Sequence, residues 1–220
     1  MDYRPGDRCG WGTFNAKNKI VKKMKNHLLY IIAIINIISI QNIEIMANKP
    51  NTRTETPEYR LIKDLGKIEI REYPELIIAY TEIGSNYSGN SGKGFSTVAG
   101  YIFGGNERQE KISMTSPVMV DMADTMKMSF IMPSKYDMND LPGPADPEVK
   151  LQKQRSRTLA VISFGGWAND TKLEKYRDLL ASELKKNNIE PVGDYMYFGY
   201  NPPYKLVNRL NEVAVEILME

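Results

Sequence analysis

Seven methionines crowd one short stretch of the chain: Met114, Met119, Met122, Met126, Met128, Met132 and Met138. A thioether fills irregular cavities and is soft enough to ligate iron, so the cluster reads either as core or as the wall of a pocket for a flat apolar ligand. Thirteen tyrosines accompany it. A tyrosine can also ligate iron, but in a strand it more often packs with one end wet. The sole histidine is His27 and the sole cysteine is Cys9. Everything after them is therefore without a disulfide, a thiolate nucleophile, a Ser-His-Asp triad or a His/Cys zinc site. An enzyme built from the remainder would rest on Asp, Glu, Tyr or Lys alone, and the expectation is a non-catalytic protein.

Two weaker patterns carry no chemistry. Gly92-Lys93-Gly94 suggests a phosphate loop, but Tyr87 stands where its first glycine is required and Gly94 where Ser or Thr would meet magnesium. The carboxylate pairs Glu69/Glu72 and Glu107/Glu110 lie outside apolar runs and read as solvated charge.

The elements that must position these residues repeat. Ile68 and Ile70 alternate with charges in 67–73, and a second strand, 76–83, follows the Pro74-Glu75 turn. A helix over 91–103 comes next, with Phe95, Val98 and Ile102 on one face. Strands 118–122 and 126–132 close this half; in the second, Met126, Met128 and Met132 share a face. The same order recurs as strands 148–154 and 158–164, a helix over 171–187, and strands 195–200 and 212–219. The second helix opens on the capping box Thr171-x-x-Glu174 and carries the stripe Leu173, Tyr176, Leu180, Leu184. Two strand-strand-helix-strand-strand units predict an α+β fold with a pseudo-twofold, its helices buried against a sheet. Residues 133–147 form the crossover loop.

Residues 1–47 differ from the rest. They hold seven Lys or Arg against Asp2, Asp7 and Glu44, so they carry +4 of a total of +2 and leave −2 for residues 48–220. A body without a basic cluster argues against nucleic acid as a partner. Lys22-Lys23-Met24-Lys25 precedes an apolar run of 13 residues, Leu28 to Ile40. That is short of the ~20 needed to span a bilayer and matches a signal peptide. The expected organisation is a leader at 1–47 (its start possible at Met24), a linker at 48–57 and a domain at 58–220. The protein is expected to be exported, periplasmic or secreted; it would be cytoplasmic if the leader does not function, and membrane-attached only if the leader stays.

Seven blocks stand in an order that resembles the SOUL family of haem-binding domains. They are Tyr59-Arg60 with Ile68-x-Ile70-Arg71-x-Tyr73; Phe95-x-x-Val98-Ala99-x-Tyr101-Ile102-Phe103-Gly104-Gly105-Asn106; Lys111-Ile112-x-Met114-Thr115-x-Pro117-Val118; Met132-Pro133 with Leu141-Pro142-x-Pro144; Phe164-Gly165-Gly166; Tyr200-Asn201-Pro202-Pro203; and Arg209-x-Asn211-Glu212-Val213. The resemblance implies a distorted antiparallel β-barrel flanked by two helices. It also implies a haem or other porphyrin held without catalysis in an apolar groove beside the first helix. Carried onto this sequence, Phe95, Val98, Ile102 and Met114 would line that groove, with Lys93, Arg108 and Lys111 as the cations for the propionates. Gly100 falls where some members have a lysine. With no histidine in the body, the tetrapyrrole is expected to be held weakly, by apolar contact or a non-histidine ligand. The alternative is a binding module for another apolar small molecule or a protein partner, since the architecture also resembles the gyrase-inhibitor-like effector-binding fold.

Overall fold

The computed structural model describes residues 54–202 and 204–218. The expected leader, and most of the expected linker, lie outside them. Within them no helix is long and apolar enough to cross a membrane.

Nine strands and two helices follow in the order β1 (Arg60–Asp64), β2 (Glu69–Tyr73), β3 (Leu76–Gly84), α1 (Tyr87–Ile102), β4 (Val118–Asp121), β5 (Met126–Ile131), β6 (Lys150–Gln154), β7 (Arg157–Gly165), α2 (Asp170–Lys186), β8 (Pro191–Gly199) and β9 (Leu210–Ile217). All eight strand pairings are antiparallel, in the spatial order β1-β2-β7-β9-β8-β4-β5-β3-β6. Set β1 aside and the order reads the same backwards when each strand of one repeat is exchanged for its counterpart in the other. The pseudo-twofold thus passes between β4 and β8, whose ladder pairs Val118 with Gly199 and Asp121 with Met196.

The α+β fold of two repeats is as expected. The barrel is looser than its name, because the order ends at β1 and β6 and no ladder joins them. The sheet nevertheless curls. Tyr73 on β2 and Phe198 on β8 have two strands between them, which would put them about 14 Å apart in a flat sheet at ~4.8 Å per strand. Their rings lie 6.4 Å apart, edge to face. This curl seals a small apolar core on the face that has no helix, including Ile78, Met119, Ile131, Leu159, Val161 and Phe198.

The other face carries both helices over the larger core. Leu173, Leu180 and Leu184 are fully buried there from α2, each contributing about 1.5–3 kcal/mol by transfer from water. The N-cap of α2 is Asn169, whose side chain accepts from the Lys172 amide, so the helix starts ahead of the predicted Thr171 box. Asn187 caps its end and Asn188 takes the left-handed φ of 54° that lets the chain turn away. Helix α1 begins earlier than its sequence pattern predicts, because Asn86 caps it by accepting from the Gly89 amide. Gly94 is there for closeness: a Cβ would collide with the Ile83 side chain of β3. Met126, Met128 and Met132 share a face as predicted, and of the two readings left open it is largely core: Met128 and, just past β5, Met132 are buried, with Met126 beside them.

Candidate functional site

The two helices do not cover the centre of the sheet. Their N-termini meet over it instead. Amides of Tyr87 and Ser88, in the first turn of α1, donate to the Asp170 carboxylate at the start of α2 (3.0 and 3.2 Å), and the Asp170 amide donates to Ser88 Oγ (3.3 Å). The Ser88 hydroxyl chiefly, with smaller help from the Ser88 and Tyr87 amides, holds the Asp170 carboxyl below the usual range against the opposing effect of burial.

Beside this junction opens a groove of about 700 Å³, within the ~300–1,000 Å³ typical of small-molecule sites. Val118 and Val120 of β4, Met128 of β5 and Tyr197 of β8 form its floor. Tyr87, Ser91 and Phe95 line it from α1. Met114 to Ser116, Trp167-Ala168, Tyr200 to Pro202 and Tyr204 form its rim, and Arg209 closes one side. The lining is chiefly apolar and aromatic. Phe95 packs on Phe130 with centroids 5.1 Å apart, and Tyr87 meets Tyr197 edge to face at 5.2 Å.

The floor is held by hydrogen bonds that the sequence pattern did not reveal. Tyr197 Oη donates to Asn211 Oδ1 (2.8 Å), and Asn211 Nδ2 donates to the Gly166 carbonyl (2.7 Å). Burial pushes the Tyr197 and Tyr87 phenols up, so both are neutral at ordinary pH.

Among the described residues Arg209 is the only cation lining the groove. Its guanidinium lies 4.0 Å over the Trp167 ring. Nη1 donates to the carbonyls of Pro202 (2.9 Å) and Lys205 (2.7 Å), and Nη2 to that of Asn201 (3.0 Å). Nε has no partner, and it is the one buried side-chain nitrogen or oxygen in that state among the described residues. No carboxylate pairs with Arg209 among them either. A half-buried cation that meets carbonyl dipoles and a ring face but no carboxylate suits an anionic oxygen of a ligand.

The structure distributes the residues expected from the sequence. Phe95 and Met114 line the groove. Val98 and Ile102 do not: they are sealed in the core at 0% and 1% exposure, because their face of α1 is the one pressed on the sheet. Lys93 points to solvent, and Arg108 and Lys111 are exposed beyond the C-terminal end of α1, with Arg108 near Glu110 at 3.8 Å. None of these three lines the groove. Arg209 and Trp167 were missed as site residues. Arg209 stands in a block already quoted for the family resemblance; Trp167 follows the Phe164-Gly165-Gly166 block by one position, and nothing in its spacing marks it.

A family model described as SOUL heme-binding protein matches residues 54–216. Heme-binding protein 2 of Homo sapiens is 31% identical over 174 residues, covering 72% of this chain and 84% of that protein. Heme-binding protein 1 of Xenopus laevis is 30% identical over 160 residues, covering 69% and 84%. Among solved structures, the crystal structure of the EcmrR C-terminal domain matches with a TM-score of 0.55 over 71% of this chain and 100% of that one. At 10% identity this is a likeness of fold alone.

Proposed function

Since the chain belongs to the SOUL heme-binding protein family, we propose that the groove between the helix N-termini binds a tetrapyrrole, haem or a related porphyrin, without catalysing a reaction. The observation that carries this reading is Arg209. It places a guanidinium that pairs with no carboxylate among the described residues at the side of an aromatic slot. A planar macrocycle bearing carboxylates matches both features.

In this reading Trp167, Tyr87 and Phe95 hold the ring by apolar and aromatic contact, and Arg209 takes a propionate. Val118, Val120 and Met128 exclude water from beneath it. Haem, if bound, would supply an iron, and the half-buried Met114 thioether is the side chain suited to ligate it. Tyr87 and Tyr197 suit it less, since burial opposes the phenolate each would have to become. With no histidine after residue 27, apolar contact and Arg209 supply most of the affinity, and the complex is held weakly.

The test is a titration of the full chain with haemin and with iron-free protoporphyrin IX, followed by the Soret band and by quenching of tyrosine and tryptophan fluorescence. The expected result is saturable binding of both with comparable affinity. Binding no tighter than that of an unrelated protein would refute the reading. Saturation by haemin alone would refute the minor role given to iron.

A further inference from the structure

Next to the groove the chain presents a cluster of strongly exposed apolar side chains. Tyr204, Leu206 and Val207, on the turn between β8 and β9, are 83%, 72% and 71% exposed. Single exposed apolar residues are ordinary, but three within four positions, beside the half-exposed Trp167, mark an interaction surface. The charges within the turn itself have one sign. Residues 199–211 include Lys205 and Arg209 and no Asp or Glu. Glu212, which follows, is turned to the opposite face of the sheet and bound to Arg71. Asp170, the acidic residue nearest Trp167 in sequence, has both oxygens engaged by the amides of Tyr87 and Ser88.

Aliphatic tips, aromatic rings with a polar end and flanking cations without carboxylates are the chemistry of a segment that sits in the headgroup region of an anionic bilayer. We propose that the 204–207 turn docks the mouth of the groove on such a surface, with Leu206 and Val207 entering the acyl boundary and Lys205 facing the phosphates. This goes beyond tetrapyrrole binding and holds without it. Where both hold, a flat amphiphile would pass between bilayer and groove with little exposure to water.

The experiment uses the ligand-free full chain with Trp11→Phe, which leaves Trp167 as the only tryptophan. It is mixed with vesicles of phosphatidylcholine alone, or of phosphatidylcholine and phosphatidylglycerol in equal parts, each carrying brominated acyl chains. Cosedimentation alone could come from the apolar run Leu28–Ile40, so quenching at Trp167 is the deciding measurement. The expected result is Trp167 quenching on the anionic vesicles that falls as salt is raised. Leu206→Ser with Val207→Ser should weaken it about tenfold, and Lys205→Glu should weaken it on anionic vesicles alone. Leu206 and Val207 are exposed, so the double variant should keep the parent's circular dichroism and haemin affinity; Lys205 is half-buried with its carbonyl on Arg209, so that variant is required only to keep the circular dichroism. Three results would overturn the proposal: vesicle binding without Trp167 quenching, quenching that these variants leave unchanged, or a concentration-dependent dimer that they abolish, which would give the surface to a second copy of the chain.

Discussion

Arg71 and Arg209 serve opposite faces of one curled sheet, and they differ in what they lack. Arg71, on the helix-free face, lacks nothing. Its Nη1 and Nη2 donate to Glu212 Oε2 and Oε1 (3.0 Å each), its Nε to Glu69 (2.7 Å), and Tyr59 lies 4.3 Å over it. Glu212 is likewise complete, accepting also from Ser163 Oγ (3.1 Å) and Tyr200 Oη (2.7 Å). Burial alone would lower the Arg71 pKa, but the hydrogen bonds and charge of Glu212 outweigh it and hold the guanidinium ionised. Arg209, on the helix side, has carbonyls, a tryptophan face and an idle Nε. A cation answered in full by its own chain holds the fold together, whereas one answered in part is available to a ligand.

The largest effect should come from breaking the complete pair. Glu212→Ala leaves a buried guanidinium uncompensated and should cost about 3–5 kcal/mol of stability, read by chemical denaturation. Replacing Arg71 and Glu212 together by apolar residues of similar volume should cost clearly less than Glu212→Ala alone. Equal losses would mean that the pair is not the source.

Arg209→Ala comes next, and it should act on binding more than on stability. Losing one charge-assisted contact to a propionate should weaken haemin about tenfold to a hundredfold. A large fall in thermal stability with haemin affinity intact would make Arg209 a loop organiser only.

A smaller effect is set by pH at the helix junction. The Asp170 carboxyl has a folded pKa below its unfolded value of about 3.9. Its contribution is therefore complete above that unfolded value and disappears as pH falls through the folded one. Asp170→Asn should lower stability at neutral pH and flatten the acid limb of the stability curve below about pH 4. An unchanged acid limb would show that the carboxylate does not tie the helices.

The smallest effect tests the cations first suggested by sequence. Lys93→Ala, Arg108→Ala and Lys111→Ala should each leave haemin affinity unchanged within about twofold, since exposed charges act weakly through water. A loss comparable with that of Arg209→Ala would move the propionate site to the C-terminal end of α1.

What the sequence disclosed follows from what periodicity can encode. The repeat, both helices and the shared methionine face of β5 were legible because alternation and helical stripes record which residues fall on one side of an element. Strand β1 was not, since RLIKD has exposed or half-buried residues throughout and no alternation to betray it. The same signal misled at the site: Val98 and Ile102 share an apolar face because they are core, and core and pocket look alike in one dimension. Arg71 and Glu212 are 141 positions apart and Arg209 and Trp167 are 42 apart. Their partners are decided by the curl of the sheet and by the 200–209 turn, which no local spacing expresses.

One measurement addresses the central claim, that Arg209 meets a carboxylate of the ligand. Haemin and haemin dimethyl ester, which lacks free propionates, are titrated into the wild-type chain and into Arg209→Ala. The account predicts that esterification weakens binding to the wild type and has little further effect on the variant, so that the two changes are strongly non-additive. Equal losses on esterification in both proteins would place the propionates elsewhere and contradict it.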